Sequence, residues 1–330
     1  MTAPAVWVDV HAHAGHCFLA GLDGAAPLAG ALGSADVPRA LLEAREAGMA
    51  AVTLATVGDL GVLAPHPDKG LYASRAFAPG EARAGHQRQL DGISRAIDAL
   101  GAPLAMAAAD IERAAAQAQT AVLLTCEGGD FLDGDLAALA DARARGVSSL
   151  TLVHYRVNEI VDVQTEDPVH GGLSAFGREV VTECNRLGMI VDCAHATFET
   201  TIAALERSAD PIMISHSHLD HAGRHHPRLL STAHARAVAS AGGLIGAWPS
   251  GVTSTGLGDF VDEIVRLADL VGIDHVAIGT DLDANYRPVL ASYADYALLP
   301  EMLARRGLGA GETAKVLGGN FLRLFRAVAG

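Results

Sequence analysis

Basic residues are scarce in this chain. Lysine and arginine number 24 against 38 aspartates and glutamates, a formal net charge of −14, and only Lys69 and Lys315 are lysines. An acidic surface repels phosphate backbones, which argues against nucleic acid as a partner. Long apolar runs are missing too. No stretch approaches the roughly 20 residues that a membrane-spanning helix requires. The opening MTAPAVWVDV lacks the basic region and apolar run of a signal peptide. The expectation is a cytoplasmic protein with no membrane partner. Cysteine is sparse and shows no Cys-x-x-Cys spacing, so Cys17, Cys126, Cys184 and Cys193 read as free thiols in a reducing compartment. Low-complexity tracts and strong internal repeats are absent.

What is present is apolar residue in quantity, 50% of 330 positions, enough for a large core. It is distributed in short runs, each followed by a polar or glycine-rich turn and then a helical pattern. Eight runs qualify: 6–13, 50–56, 120–128, 148–155, 188–196, 211–217, 242–248 and 275–283. Between them, segments such as 37–49, 173–188 and 257–272 return apolar residues every three or four positions, and a glycine typically closes them. Eight strands alternating with helices predict an α/β fold, a (β/α)8 TIM barrel. The stretches 80–117 and 284–330 predict extra helices on the same domain, which is expected to span residues 1–330. FLRLFRAVAG at the C-terminus reads as a last amphipathic helix.

Active sites of such barrels lie at the C-terminal ends of the strands. Here those ends carry His11 and His13, Glu127, His154, His195, His216 and Asp281. Positions two apart on a strand share a face, so His11 and His13 can grip one cation. A lone His-x-His pair is usually incidental, and a strand-end acid is often a helix cap. Convergence of six such ends on one mouth points instead to a metal centre. Imidazole and carboxylate without thiolate suit zinc. Four of these histidines, His11, His13, His195 and His216, together with the two carboxylates exceed the needs of one tetrahedral ion, which predicts two Zn2+ per chain. Neither lysine ends a strand, so a carboxylated lysine is not the bridge and Glu127 is the best one available. Asp9 and Asp283 are expected to support the ligands, His16 to stand at the rim, Cys193 to be a small packed residue, and the histidines of HLDHAGRHH to form a polar lid.

The segments LTCEGGDFL, LTLVHYRVN, VVTECNRLGMIVDCAHAT, PIMISHSH, HVAIGTDLD and GGNFLRLF resemble the membrane dipeptidase (renal dipeptidase) family of zinc peptidases, in order and along nearly the whole chain. The resemblance implies a dinuclear zinc dipeptidase working through a hydroxide between the metals. It implies metal ligation by His11 and, with Glu127 bridging, by His195 and His216. It makes Asp281 the acid/base residue that also touches a metal, and His154 the group that stabilises the tetrahedral intermediate. Arg224 becomes the receptor for the substrate's terminal carboxylate. It also implies a homodimer and small dipeptide substrates, with a C-terminal D-residue tolerated.

Two departures stand out. The family's first motif is His-x-Asp, whereas here His13 takes the aspartate's place and makes the centre more positive. GAWPSGVTSTG replaces an aromatic, asparagine-rich segment that shapes the family's substrate pocket. Both favour the alternative of an amidohydrolase for another small amide, N-acyl amino acid or lactone. A non-catalytic binding barrel is disfavoured because every candidate catalytic position is filled.

Overall fold

The structure is a computed structural model that describes residues 6–20, 32–66, 70–221 and 225–330. Seven parallel strands form one curled sheet: β1 (Ala51–Val57), β4 (Ala121–Glu127), β5 (Val147–Thr151), β6 (Ile190–Asp192), β7 (Met213–Ser217), β8 (Leu244–Ala247) and β9 (Val276–Ile278), in that order. A separate antiparallel hairpin, β2 (Leu63–His66) and β3 (Gly70–Ala73), follows β1. The N-terminal segment closes the ring. Asp9 N donates to Ala51 O of β1 at 3.1 Å, and Val10 N donates to Ile278 O of β9 at 3.1 Å. The eight expected runs therefore form one barrel, with the first run as an irregular stave between the two sheet edges.

Helices connect the strands: α1 (Val37–Glu46), α2 (Glu81–Leu100), α3 (Ala108–Ala116), α4 (Ala137–Ala144), α5 (Ala175–Leu187), α6 (Phe198–Arg207), α7 (Thr232–Ser240) and α8 (Leu257–Val271). Their starts carry local chemistry. Asp36, Ser174, Thr197 and Ser231 each accept a bond from a backbone N–H of the first turn, satisfying donors that have no partner within the helix. Gly188 ends α5 with φ 63°, a conformation disfavoured for residues with a Cβ.

The C-terminal part differs from the expected long helical stretch. Residues 284–292 are irregular, and the helices after them are short: α9 (Tyr293–Tyr296), α10 (Leu299–Arg305), α11 (Ala310–Ala314) and α12 (Asn320–Ala329). α12 is the expected amphipathic helix. Its Phe321, Leu324 and Phe325 pack with Val8, Ala51, Leu123 and Met213, closing the bottom of the barrel. β1 and β4 are buried at every position, as parallel strands covered on both faces must be. All four cysteines are free and buried. No helix among the described residues is long and apolar enough to cross a membrane.

Between strands and helices lies a buried polar group outside the mouth. His86 on α2 stacks on Phe131 at 4.0 Å, and its Nδ1 pairs with Thr56 Oγ1 at 3.1 Å. Burial, with the Arg145 charge adding to it, pushes the imidazole down to about 3. The ordinary value is near 6.5, so between those values the unfolded chain binds more protons than the folded one. His86 therefore favours folding above pH 6.5 and loses that contribution as pH falls toward 3, by at most about 1.4 kcal/mol per pH unit. Thermal melts of chelated protein at pH 7 and pH 5 should show a smaller acid-induced drop in His86→Gln than in wild type; equal drops would show that His86 is not the group responsible.

Candidate metal centre

The strand ends deliver their side chains to one point, and Glu127 is its hub. Its Oε2 lies 3.0 Å from His13 Nε2 and 3.5 Å from His154 Nε2. Its Oε1 lies 3.1 Å from His195 Nε2, 3.4 Å from His11 Nε2 and 3.6 Å from His216 Nε2. Asp281 joins from the far side, with Oδ1 3.6 Å from His13 Nε2. All seven side chains are buried. His11 and His13 both turn toward Glu127, as alternate positions of an extended chain do.

A backbone carbonyl and a serine hydroxyl aim two of these rings. His13 Nδ1 meets Ala55 O at 3.1 Å and His216 Nδ1 meets Ser215 Oγ at 3.0 Å, leaving Nε2 of each free to face the cluster. The β7 backbone reaches this position because Gly246 in β8 and Gly279 just past β9 stand beside it. A Cβ on Gly246 or Gly279 would stand 1.8 or 2.0 Å from Ser215 O. His195 and Asp281 have φ of 66° and 54°, left-handed values uncommon outside glycine. Such backbone outliers concentrate at functional sites.

The donor set fits divalent metal. Burial holds His195 and His216 well below the ordinary imidazole range, so both are neutral, the form that ligates. Their Nε2 atoms approach to 3.1 Å, close to the spacing of about 3.3 Å that two nitrogens take on one tetrahedral zinc. His11 Nε2 is buried without a hydrogen-bond partner. Burial would raise the Glu127 carboxyl, but the surrounding histidines, His154 and His11 foremost, hold it well below the usual carboxylate range. Two groups of donors, His11–His13–Glu127 and Glu127–His154–His195, are each compact enough to hold one ion, and they share Glu127.

Other expected residues fall elsewhere. Arg224 lies outside the described residues. His218 is buried and forms no lid: its Nδ1 faces Glu263 Oε1 at 3.4 Å in the barrel wall. Asp283 turns away from the cluster and accepts from Gly15 N at 2.6 Å; both line an outer groove with His16. Asp9 supports the ligands indirectly, bonding His11 N at 3.4 Å and Thr280 N at 3.0 Å.

Three residues of the site were not foreseen. Asp59 Oδ1 binds His154 Nδ1 at 2.7 Å. Burial opposes a charge on His154, but Asp59 and then Glu127 outweigh it and raise the imidazole above its usual range. Arg228 is only 2% exposed, and its Nε and Nη2 find no partner, while Nη1 donates to Gln164 Oε1 at 2.8 Å. Trp248 joins two of these groups: Nε1 donates to Asp281 Oδ2 at 3.2 Å, and Arg228 Cζ stands 5.5 Å from the ring centroid. Arg228, Trp248 and Tyr155 line a cavity of about 120 Å³ with Glu127, His154 and Asp281. A signal for Arg228 existed in PRLL, where an arginine stands among apolar neighbours.

A closed (β/α)8 barrel with histidines and carboxylates converging at its C-terminal mouth defines the class, a barrel built to hold divalent metal. The model of the membrane dipeptidase family (peptidase family M19) matches residues 32–330, and the chain belongs to that family. It is similar to dipeptidase 3 of Rattus norvegicus, 33% identical over 223 residues covering 63% of this chain and 45% of the rat protein. It is 29% identical to dipeptidase tcpJ of Claviceps purpurea over 254 residues, 73% of this chain and 59% of that protein. The chain thus spans less than two thirds of these relatives' own length. In fold it is similar to a metallo peptidase of Rhodobacter sphaeroides solved with a phosphinate mimic of the dipeptide L-Ala-D-Ala, with a TM-score of 0.79 and 19% identity over 98% of this chain and 99% of that one. An amidohydrolase of Pseudomonas aeruginosa also aligns with a TM-score of 0.79, at 20% identity over 99% of this chain and 97% of that one.

If this cluster binds metal, zinc should raise the thermal midpoint of chelated wild-type protein by roughly 5 °C or more. Glu127→Gln should lose most of that rise, because both donor groups share the carboxylate. An equal rise in the two proteins would place the bound zinc elsewhere.

Proposed function

We propose that this chain is a metallo-dipeptidase with two Zn2+ per chain. The observation that carries the reading is the buried Glu127 carboxylate, with five imidazole nitrogens within 3.6 Å of its oxygens and the buried, under-bonded Arg228 in the same cavity. In this reading His11 and His13 would hold one ion and His195 and His216 the other, with Glu127 available to both. Zinc held there would supply Lewis acidity to a water and to a carbonyl oxygen.

The chain's own residues do the rest. Arg228 pairs with the terminal carboxylate of the substrate through its free N–H groups, a charge-assisted contact suited to guanidinium. Arg228 therefore takes the role the resemblance gave to Arg224. His154, held by Asp59, donates from Nε2 to the oxygen that becomes negative during attack on the amide carbon. Asp281 takes a proton from the attacking water and delivers it to the leaving nitrogen. Burial raises its carboxyl above the ordinary carboxylate value, with His13 opposing, and cations held beside it would favour the ionised form that accepts a proton. Trp248 is a positioning residue that occupies Oδ2 of Asp281 and supports Arg228 from below. The mimic bound by the Rhodobacter protein makes a C-terminal D-residue a natural choice of substrate. A cytoplasmic homodimer remains part of the proposal.

The direct test is hydrolysis of L-L and L-D dipeptides by the purified, zinc-loaded protein. Cleavage is expected, with Asp281→Asn lowering kcat by roughly 10²- to 10⁴-fold. A protein that binds two zinc ions yet cleaves no dipeptide would sink the assignment. The variants Arg228→Met and Trp248→Phe should separate binding from chemistry. The first should raise KM about tenfold or more with kcat nearly kept. The second retains the ring under Arg228 but removes the N–H, so it should lower kcat while leaving KM near wild type. A Trp248→Phe enzyme with unchanged kcat would remove Trp248 from its positioning role.

A further inference from the structure

The cavity has two unlike ends. Arg228 follows β7, and the end of β1 with the hairpin after it stands across the mouth, because β1 and β7 are opposite in the eight-stave ring. That opposite wall is apolar. Phe18, Val57, Leu60 and Leu63 form a cluster of their own with Leu71 packed against it, and all five line the cavity. The hairpin register explains its orientation. Leu63 pairs with Ala73 and Pro65 with Leu71, which puts Leu63 and Leu71 on one face, while Tyr72 alternates to the other and is 37% exposed.

Charge reinforces the asymmetry. Among the described residues that line the cavity, the carboxylates are Glu127 and Asp281, and both belong to the cluster. With two divalent cations bound, those two carboxylates and Arg228 leave a clear positive excess. His13 adds no negative charge where a carboxylate would have. A free ammonium on the substrate would find no spare carboxylate on this wall and a repulsive field behind it.

We propose that the acyl half of the substrate, which carries the scissile carbonyl, is selected by apolar contact with the hairpin wall and needs no ammonium. This inference rests on the reading of Arg228 as the carboxylate receptor. The substrate class then comprises dipeptides with an apolar N-terminal residue and amino acids N-acylated by an aliphatic acid. In either case the amide C–N bond breaks, the water oxygen joins the acyl carbon, and a water proton goes to the leaving nitrogen. The products are a free carboxylate and an amino acid.

The test compares kcat/KM of the zinc-loaded protein on Leu-Ala against Gly-Ala, and on N-hexanoyl-alanine against N-acetyl-alanine. Burying a leucine side chain or several methylenes is worth about tenfold or more, so each first member should win by at least that factor. Leu71→Asp should collapse both ratios toward one, and Tyr72→Asp, on the outer face of the hairpin, should leave them standing. Equal rates within the pairs, or ratios that persist in Leu71→Asp, would overturn the inference while leaving the dipeptidase reading intact. If neither dipeptides nor acyl amino acids are cleaved, the dipeptidase reading fails by itself. Calorimetric binding then decides the wall: hexanoyl-alanine bound at least tenfold more tightly than acetyl-alanine supports it, and equal affinity overturns it.

Discussion

The carboxylate of Glu127 is buried at the end of β4 with imidazole nitrogens between 3.0 and 3.6 Å from its two oxygens. A buried carboxylate without partners costs several kcal/mol. Here the partners come from the N-terminal segment and from the ends of β5, β6 and β7, so no local stretch of chain can supply them. Ionised Glu127 is therefore stable only once the ring of strands has closed. The same closure brings neutral, ligating histidines together. Fold and metal centre are thus coupled through one side chain, and local disorder at any of those strand ends would weaken both.

Closure in turn depends on how the first stave meets the last. Asp9 is fully buried and accepts from Thr280 N at 3.0 Å, Thr280 Oγ1 at 2.5 Å and Tyr293 OH at 3.2 Å. Burial raises its carboxyl to about 6 while the Thr280 bonds oppose the rise. This clamp sits two residues before His11 and binds the residue just before Asp281. It therefore fixes the relative register of both chain ends at the mouth, although it touches neither substrate nor metal. Asp281 N completes the seam by donating to His11 O at 2.8 Å.

The elements that were legible in the sequence share one property: their signal is carried by period and position. Buried parallel strands read as apolar runs, and a polar residue at the end of such a run is conspicuous, as with Glu127 after AVLLTC or His216 after PIMIS. The elements that were not legible act through loops. Asp59 lies just past β1, where an acid has many ordinary uses, and only the folded chain brings it to His154. Trp248 ends the run GGLIGAW and reads as one more core residue until its N–H is seen to meet Asp281. Arg228 was hidden by the charged loop before it, although its apolar neighbours mark it as buried. The hairpin strands are four residues each, too short for alternation to stand out. Asp283 shows the opposite failure: two positions from Asp281 would place it beside the site in a regular strand, but β9 ends at Ile278, and Asp281 and Asp283 both have positive φ.

Those positive values explain how the mouth is held. A non-glycine residue in the left-handed region costs on the order of 1 kcal/mol, and glycine would remove the cost at His195 and Asp281. Glycine would also remove the side chain that reaches the cluster. The strained backbone is retained by fixed bonds on either side, Gln164 N to His195 O at 2.8 Å and Asp281 N to His11 O at 2.8 Å. Because the ladder has already ended, these turns can aim a side chain inward at an angle that a straight strand cannot provide. The barrel thus supplies rigidity up to the last paired residue, and the strained turns beyond it convert that rigidity into donor placement. Stability is given up at the positions where side-chain direction matters most, and the buried core below absorbs the loss.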